Sequence, residues 1–159
     1  MAKRIDMDEM LRGYLVCALW ASHGGSGHRY DGKGSEEDTD FDSCGVSDFE
    51  GTSLLAMRLD CIRFIAHVDA DGLLQDLLSI EGPSCSASEY AGHNLWLTRN
   101  HHGAGFIDRA YNGAVAIQEI ASKEGERWLF KNENSGEVSV EPITYTDLEM
   151  LASAKEPEK

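Results

Sequence analysis

The chain has 159 residues, 42% hydrophobic and 26% charged, a composition that excludes a wholly disordered chain and a fibrous repeat and is long enough for one hydrophobic core. Asp and Glu number 28 against 14 Lys and Arg, a formal net charge of −14. So negative a chain repels a phosphate backbone. Direct nucleic-acid binding through a basic footprint is therefore not expected, whereas a partner whose groove is lined with Lys and Arg is.

A single domain over 1–159 is the expectation, with a flexible acidic loop at about 23–48 and a charged C-terminal tail from about 155. No apolar run approaches the length needed to span a bilayer, and Met1 to Asp6 turns acidic at once instead of opening into the apolar stretch of a secretory leader. Cys17, Cys44, Cys61 and Cys85 form no CxxC pair and read as thiols of a reducing compartment. The expectation is a cytoplasmic protein with no membrane association and no cofactor.

The first predicted element is a helix. Asp6 and Glu9 have capping-box spacing, and Met7, Met10, Leu11, Tyr14, Leu15, Ala18 and Leu19 recur at steps of three and four, up to a stop at Gly24-Gly25. His23 to Asp48 has no apolar period and is rich in Gly, Ser and acids. A second helix is predicted over Thr52–Val68, with Leu54, Leu55, Cys61, Ile62, Ile65 and Val68 inward and Arg58, Asp60 and Arg63 on its flanks. A short helix follows over Leu73–Ile80. Ser86 and Glu89 predict a single turn at Ala87–Ala91 that ends on Gly92.

From His93 the pattern reads as β structure. His93–Thr98 and Phe106-Ile107 form a predicted hairpin about Asn100–Gly105. A helix over Ala114–Lys123 comes next, then a second hairpin that pairs Trp128–Phe130 with Val138–Val140, and a weak helix over Thr146–Ala154. The predicted fold is α+β, with N-terminal helices packed on a small antiparallel sheet of two hairpins.

The run from Gly92 to Arg109 contains, in order, Gly92-His93, Leu95-Trp96-Leu97, Thr98-Arg99-Asn100, His102-Gly103-Ala104-Gly105-Phe106 and Asp108-Arg109. It resembles a recurring pattern of small uncharacterised proteins from tailed phages and related mobile elements, from which it departs at His101 and Ile107. The resemblance implies an accessory protein acting inside a bacterial host cell, and it brings no activity with it.

Three functional expectations follow. The first is an acidic inhibitor of a host nucleic-acid-binding defence system, of anti-CRISPR or anti-restriction type. In it Asp31, Glu36, Glu37, Asp38, Asp40, Asp42, Glu133, Glu137 and Glu141 occupy a basic groove on a host protein or nucleoprotein complex. The second is a small hydrolase or ligand-binding module built on Arg99, His102, Asp108 and Arg109, residue types suited to acid–base work on an anionic substrate. The competing account of that hairpin is structural, with Gly103 and Gly105 supplying turn angles and Arg99 pairing with Asp108. The third is a self-associating regulatory protein. The Asp38-Thr39-Asp40-Phe41-Asp42 alternation suggests a calcium loop, but Ser43 and Phe49 stand where that loop wants Gly and Glu. No phosphate loop, nucleophile elbow or zinc-protease helix is present.

Overall fold

The computed structural model describes residues 2–22, 41, 43–132, 134–143 and 145–154. Helix α1 covers Met7–Ala21 and starts at Asp6, whose carboxylate accepts from the N–H groups of Asp8 and Glu9 at 3.1 and 3.0 Å. The second half of the predicted capping box does not close. Instead the Asp6 N–H donates to Ser88 Oγ, and Glu9 accepts from Ser86 Oγ at 2.7 Å. Ser86 is the N-cap of helix α4, Ala87–Arg99, so the first turns of two helices distant in sequence are stitched together by each other's capping groups.

Between them, α2 covers Gly51–Ala70, and the Glu50 carboxylate accepts from the N–H groups of Thr52 and Ser53 at its start. Partial burial opposes the Glu50 charge, but these bonds outweigh it and hold the carboxyl below the usual range. The short α3 covers Leu74–Leu77. After α4 come α5 (Ala114–Ser122), strands β1 (Trp128–Lys131) and β2 (Val138–Glu141), and α6 (Tyr145–Ala154). The strands pair antiparallel, with Trp128 opposite Glu141 and Lys131 opposite Val138. The fold is α+β as predicted, with one hairpin among the described residues rather than two.

The predicted hairpin at His93–Ile107 is instead the body of α4, followed by a turn and a 3-10 segment at Gly105–Ile107. Two physical facts override the strand-like composition. Ala91, Leu95, Trp96 and Arg99 are buried at helical spacing, so a helix and not a strand puts them all in the core. Gly92 is also no stop signal. It lies at the crossing with α1, where a Cβ would stand 2.0 Å from the Met10 carbonyl oxygen, and Gly13 mirrors it with a Cβ position 2.0 Å from the Glu89 carbonyl oxygen. Each glycine is what lets the other helix's backbone approach.

Helix α4 ends in a Schellman-type turn, with the His102 N–H bonded to Leu97 O at 2.8 Å and the His101 N–H to Thr98 O at 3.2 Å. The left-handed position of that motif, which favours glycine, is held by His101 at φ 57°. Its imidazole is exposed, with Glu126 at 3.8 Å. His101→Gly is therefore expected to raise stability by about 0.5–1 kcal/mol, the relief of left-handed strain exceeding the chain entropy that glycine adds. A higher urea midpoint at unchanged slope checks it.

The core gathers α1, α2 and α4 around Tyr14, Phe64 and Trp96, and is closed by Phe106, Ile117, Leu129, Val138 and Val140. Phe106 stacks on Phe64 at 5.4 Å. Of the predicted acidic loop, Phe41 is buried in the core and Val46–Asp48 form a 3-10 turn. The hairpin docks on the start of α2, with the Glu50 N–H donating to Val138 O and the Val140 N–H to Ser53 Oγ.

Candidate functional site

A large polar constellation among the described residues is centred on Asp60, which is fully buried on the inner face of α2. Arg127 grips it as a fork, Nε to Oδ2 and Nη2 to Oδ1, both at 2.8 Å. Arg99 Nη1 lies 2.9 Å from Oδ2, the Tyr14 hydroxyl donates to the same oxygen at 2.9 Å, and Arg63 Nη2 reaches Oδ1 at 3.0 Å. A second tier completes the set. Asp147 accepts from Arg127 at 3.1 Å, and Glu124 accepts from Arg63 at 2.9 Å.

Burial opposes the charges of Arg99 and Arg127, but the Asp60 carboxylate and, for Arg99, its hydrogen bond to the Tyr14 hydroxyl outweigh it, and both guanidiniums stay charged. Burial also pushes the Tyr14 phenol up, so it remains a neutral hydroxyl that accepts from Arg99 and donates to Asp60. Three arginines and three carboxylates thus cancel in charge, and the cluster joins α1, α2, α4, the segment before β1, and α6.

A cavity of about 760 Å³ opens beside the cluster, with Arg63, Arg99, Arg127, His67 and Lys123 in its lining. None of its lining residues carries a hydroxyl or a thiol. The inward-facing guanidinium groups are committed elsewhere as well. Arg99 donates to the carbonyls of Gly125 and Glu124, and Arg127 donates to the Pro142 carbonyl.

The predicted ligand site is not assembled. Arg99 sits in the cluster just described and does not pair with Asp108, which is exposed. His102 is half-buried at the end of α4 on the Glu126 side, and burial lowers its pKa. Arg109 lies elsewhere, donating to the Glu81 carbonyl at 2.8 Å with its guanidinium 5.4 Å from the Tyr90 ring centroid. Gly103 and Gly105 do supply positive φ angles, 71° and 58°. The turn they make is fixed by Gln118, whose Oε1 accepts from Thr98 Oγ1 and from the Phe106 N–H, both at 3.0 Å. Thr98, Arg99 and Asn100 are structural throughout, since Asn100 holds the Arg127 N–H and the Trp96 carbonyl.

What this motif does bring together is a surface stack. His93 lies between Trp20 and Tyr90, with ring centroids 6.1 and 6.4 Å away and interplanar angles of 28° and 19°, and Arg109 covers Tyr90. Partial burial lowers the His93 pKa against the pull of Glu89. Neither this stack nor the Asp60 cluster follows from the sequence patterns above. Asp60 lies not on a helix flank but, at its spacing from Ala56, Met57, Phe64 and Val68, within the buried stripe.

Of the predicted acidic contact residues, Glu137, just before β2, and Glu141, at its end, are exposed and alternate with the buried Val138 and Val140. Asp31, Glu36, Glu37, Asp38, Asp40, Asp42 and Glu133, and with them the carboxylates of the candidate calcium alternation, lie outside the described residues. Cys17 and Cys61 are buried thiols whose pKa burial raises. Among the described residues no helix is long and apolar enough to cross a membrane. Comparison with protein-family models, with curated proteins and with solved structures finds no match in any of the three.

Proposed function

We propose that this protein works by binding rather than by chemistry. It is an acidic accessory protein of a phage or mobile element that occupies a basic, nucleic-acid-binding groove on a host defence protein. The observation that carries this reading is where the cations go. Arg99 and Arg127 have side chains only 3% exposed, and with Arg63 they are held by Asp60, Asp147 and Glu124 in a set without net charge. The whole excess of −14 therefore belongs to the rest of the chain.

A field of that size accelerates encounter with a cationic surface and opposes encounter with phosphate. The phage setting comes from the Gly92–Arg109 resemblance alone. The enzyme alternative has less behind it, because Arg99, His102 and Asp108 share no site.

Tagged protein incubated with bacterial lysate is expected to retain a basic partner at about 0.05 M salt and to release it near about 0.5 M or on addition of excess duplex DNA. A partner held equally well at both salt concentrations and in the presence of DNA would overturn the reading.

A further inference from the structure

We propose that the Trp20–His93–Tyr90–Arg109 stack, on the face shared by α1 and α4, is where the cationic partner docks, with an arginine guanidinium of that partner lying on the open face of the Trp20 indole. The inference rests on the acidic-partner reading above and assigns that partner a place and a contact chemistry.

Four observations converge on it. Trp20 is 67% exposed, far more than a residue of its size needs to be, and Val16 one turn earlier on α1 is 45% exposed, so the two form an apolar strip beside the stack. Trp, Tyr and Arg are the residue types that dominate binding hot spots. The stack is rigidly mounted, because the Gly13 and Gly92 crossing fixes α1 against α4 and the Arg109 guanidinium is anchored on the Glu81 carbonyl. Finally, one end of the stack already displays the proposed contact: Arg109 lies over the Tyr90 ring at 5.4 Å. Trp20 is the other end, and indole is the better cation acceptor of the two rings.

Charge selects the occupant. A second copy of this chain brings its own net charge of −14, and a single-stranded nucleic acid brings a phosphate at every base, although an aromatic ladder could otherwise serve as a base platform. Against the charges of Arg109 and of Arg12, exposed two turns before Trp20 on α1, stand Glu89 beside His93 and the exposed Asp108. The face itself is thus near balance, and the excess of −14 on the whole chain sets the sign of the field around it. That long-range field favours a positively charged partner. A planar guanidinium suits the indole face better than an ammonium of equal charge.

The test uses the full chain and labelled oligoarginine and oligolysine peptides of equal length, read by fluorescence anisotropy at low salt. The arginine peptide is expected to bind roughly three-fold tighter than the lysine peptide. Trp20→Ala should bring the two peptides level and Trp20→Phe should keep part of the difference, with unchanged thermal melts showing both variants folded. Equal affinities in the unsubstituted protein, or an arginine preference that survives Trp20→Ala, would overturn the docking surface while leaving the acidic-partner reading in place. Failure of both peptides to bind would overturn that reading as well. Binding of an oligothymidylate that Trp20→Ala abolishes would replace the cationic partner with a nucleic acid and overturn the proposal.

Discussion

Asp60→Ala is expected to cost about 3–5 kcal/mol of folding stability, the range for removing one member of a buried ion pair. The carboxylate has no exposed surface and receives Arg127, Arg99, Arg63 and the Tyr14 hydroxyl. Its removal leaves two guanidiniums of 3% exposure with their charge still in place, since an arginine cannot shed its proton to escape burial. The Asp147 carboxylate is already engaged with Arg127 at 3.1 Å. Asp60→Asn keeps the volume but loses the charge, and it belongs in the same range.

The double-mutant cycle isolates the cause. Asp60→Ala combined with Arg127→Ala removes both charges of the fork, so its cost should fall short of the summed single costs by at least about 1 kcal/mol. Urea unfolding of the four proteins measures this. Additive costs would mean that Asp60 contributes by filling space and not by neutralising buried charge.

The cluster also explains which parts of the molecule could be read in advance. The start of α1, the hairpin of Trp128–Lys131 with Val138–Glu141, α5 and α6 are legible because their signals are local: a cap, an alternation around a Gly-bearing turn, a short apolar period. The α4 region is not, because its evidence is tertiary. Gly92 carries the local signature of a stop, and what makes it a mid-helix residue is the Met10 carbonyl of another helix. Asn100 and Gly105 carry the signature of a hairpin turn, and what makes them a helix end and a 3-10 entry is Arg127 on one side and Gln118 on the other.

The same holds for the site. Arg99 and Asp108 are nine places apart and were natural partners for a hairpin. A helix that runs to Arg99 turns it inward toward Asp60, 39 places earlier in the chain, and that pairing has no local trace. Similarly, nothing near Trp20 in sequence announces that His93 will lie on its ring. The stack exists only because two helices pack closely enough to bring their outer faces level.

That closeness gives the second large expected effect. Gly92→Ala should destabilise the protein by about 2 kcal/mol or more, despite a gain of up to about 1 kcal/mol in intrinsic helix propensity. The added Cβ would stand 2.0 Å from the Met10 oxygen and 2.8 Å from the Tyr14 nitrogen. Both are backbone atoms, so no rotamer change relieves the overlap and α1 must move outward. Movement there loosens the Tyr14–Trp96 contact at 5.5 Å and the Tyr14–Arg99 bond in the core, and separates Trp20 from His93 on the surface. Gly51→Ala, in the first turn of α2 with no atom within 4 Å of its Cβ position, is the matched control and should be neutral or slightly stabilising. Chemical unfolding gives the stabilities, and anisotropy with the arginine peptide should show weakened discrimination in the Gly92 variant under conditions where it is still folded. If Gly92→Ala proves as harmless as Gly51→Ala, the close crossing of α1 and α4 is wrong, and the mounting proposed for the docking face goes with it.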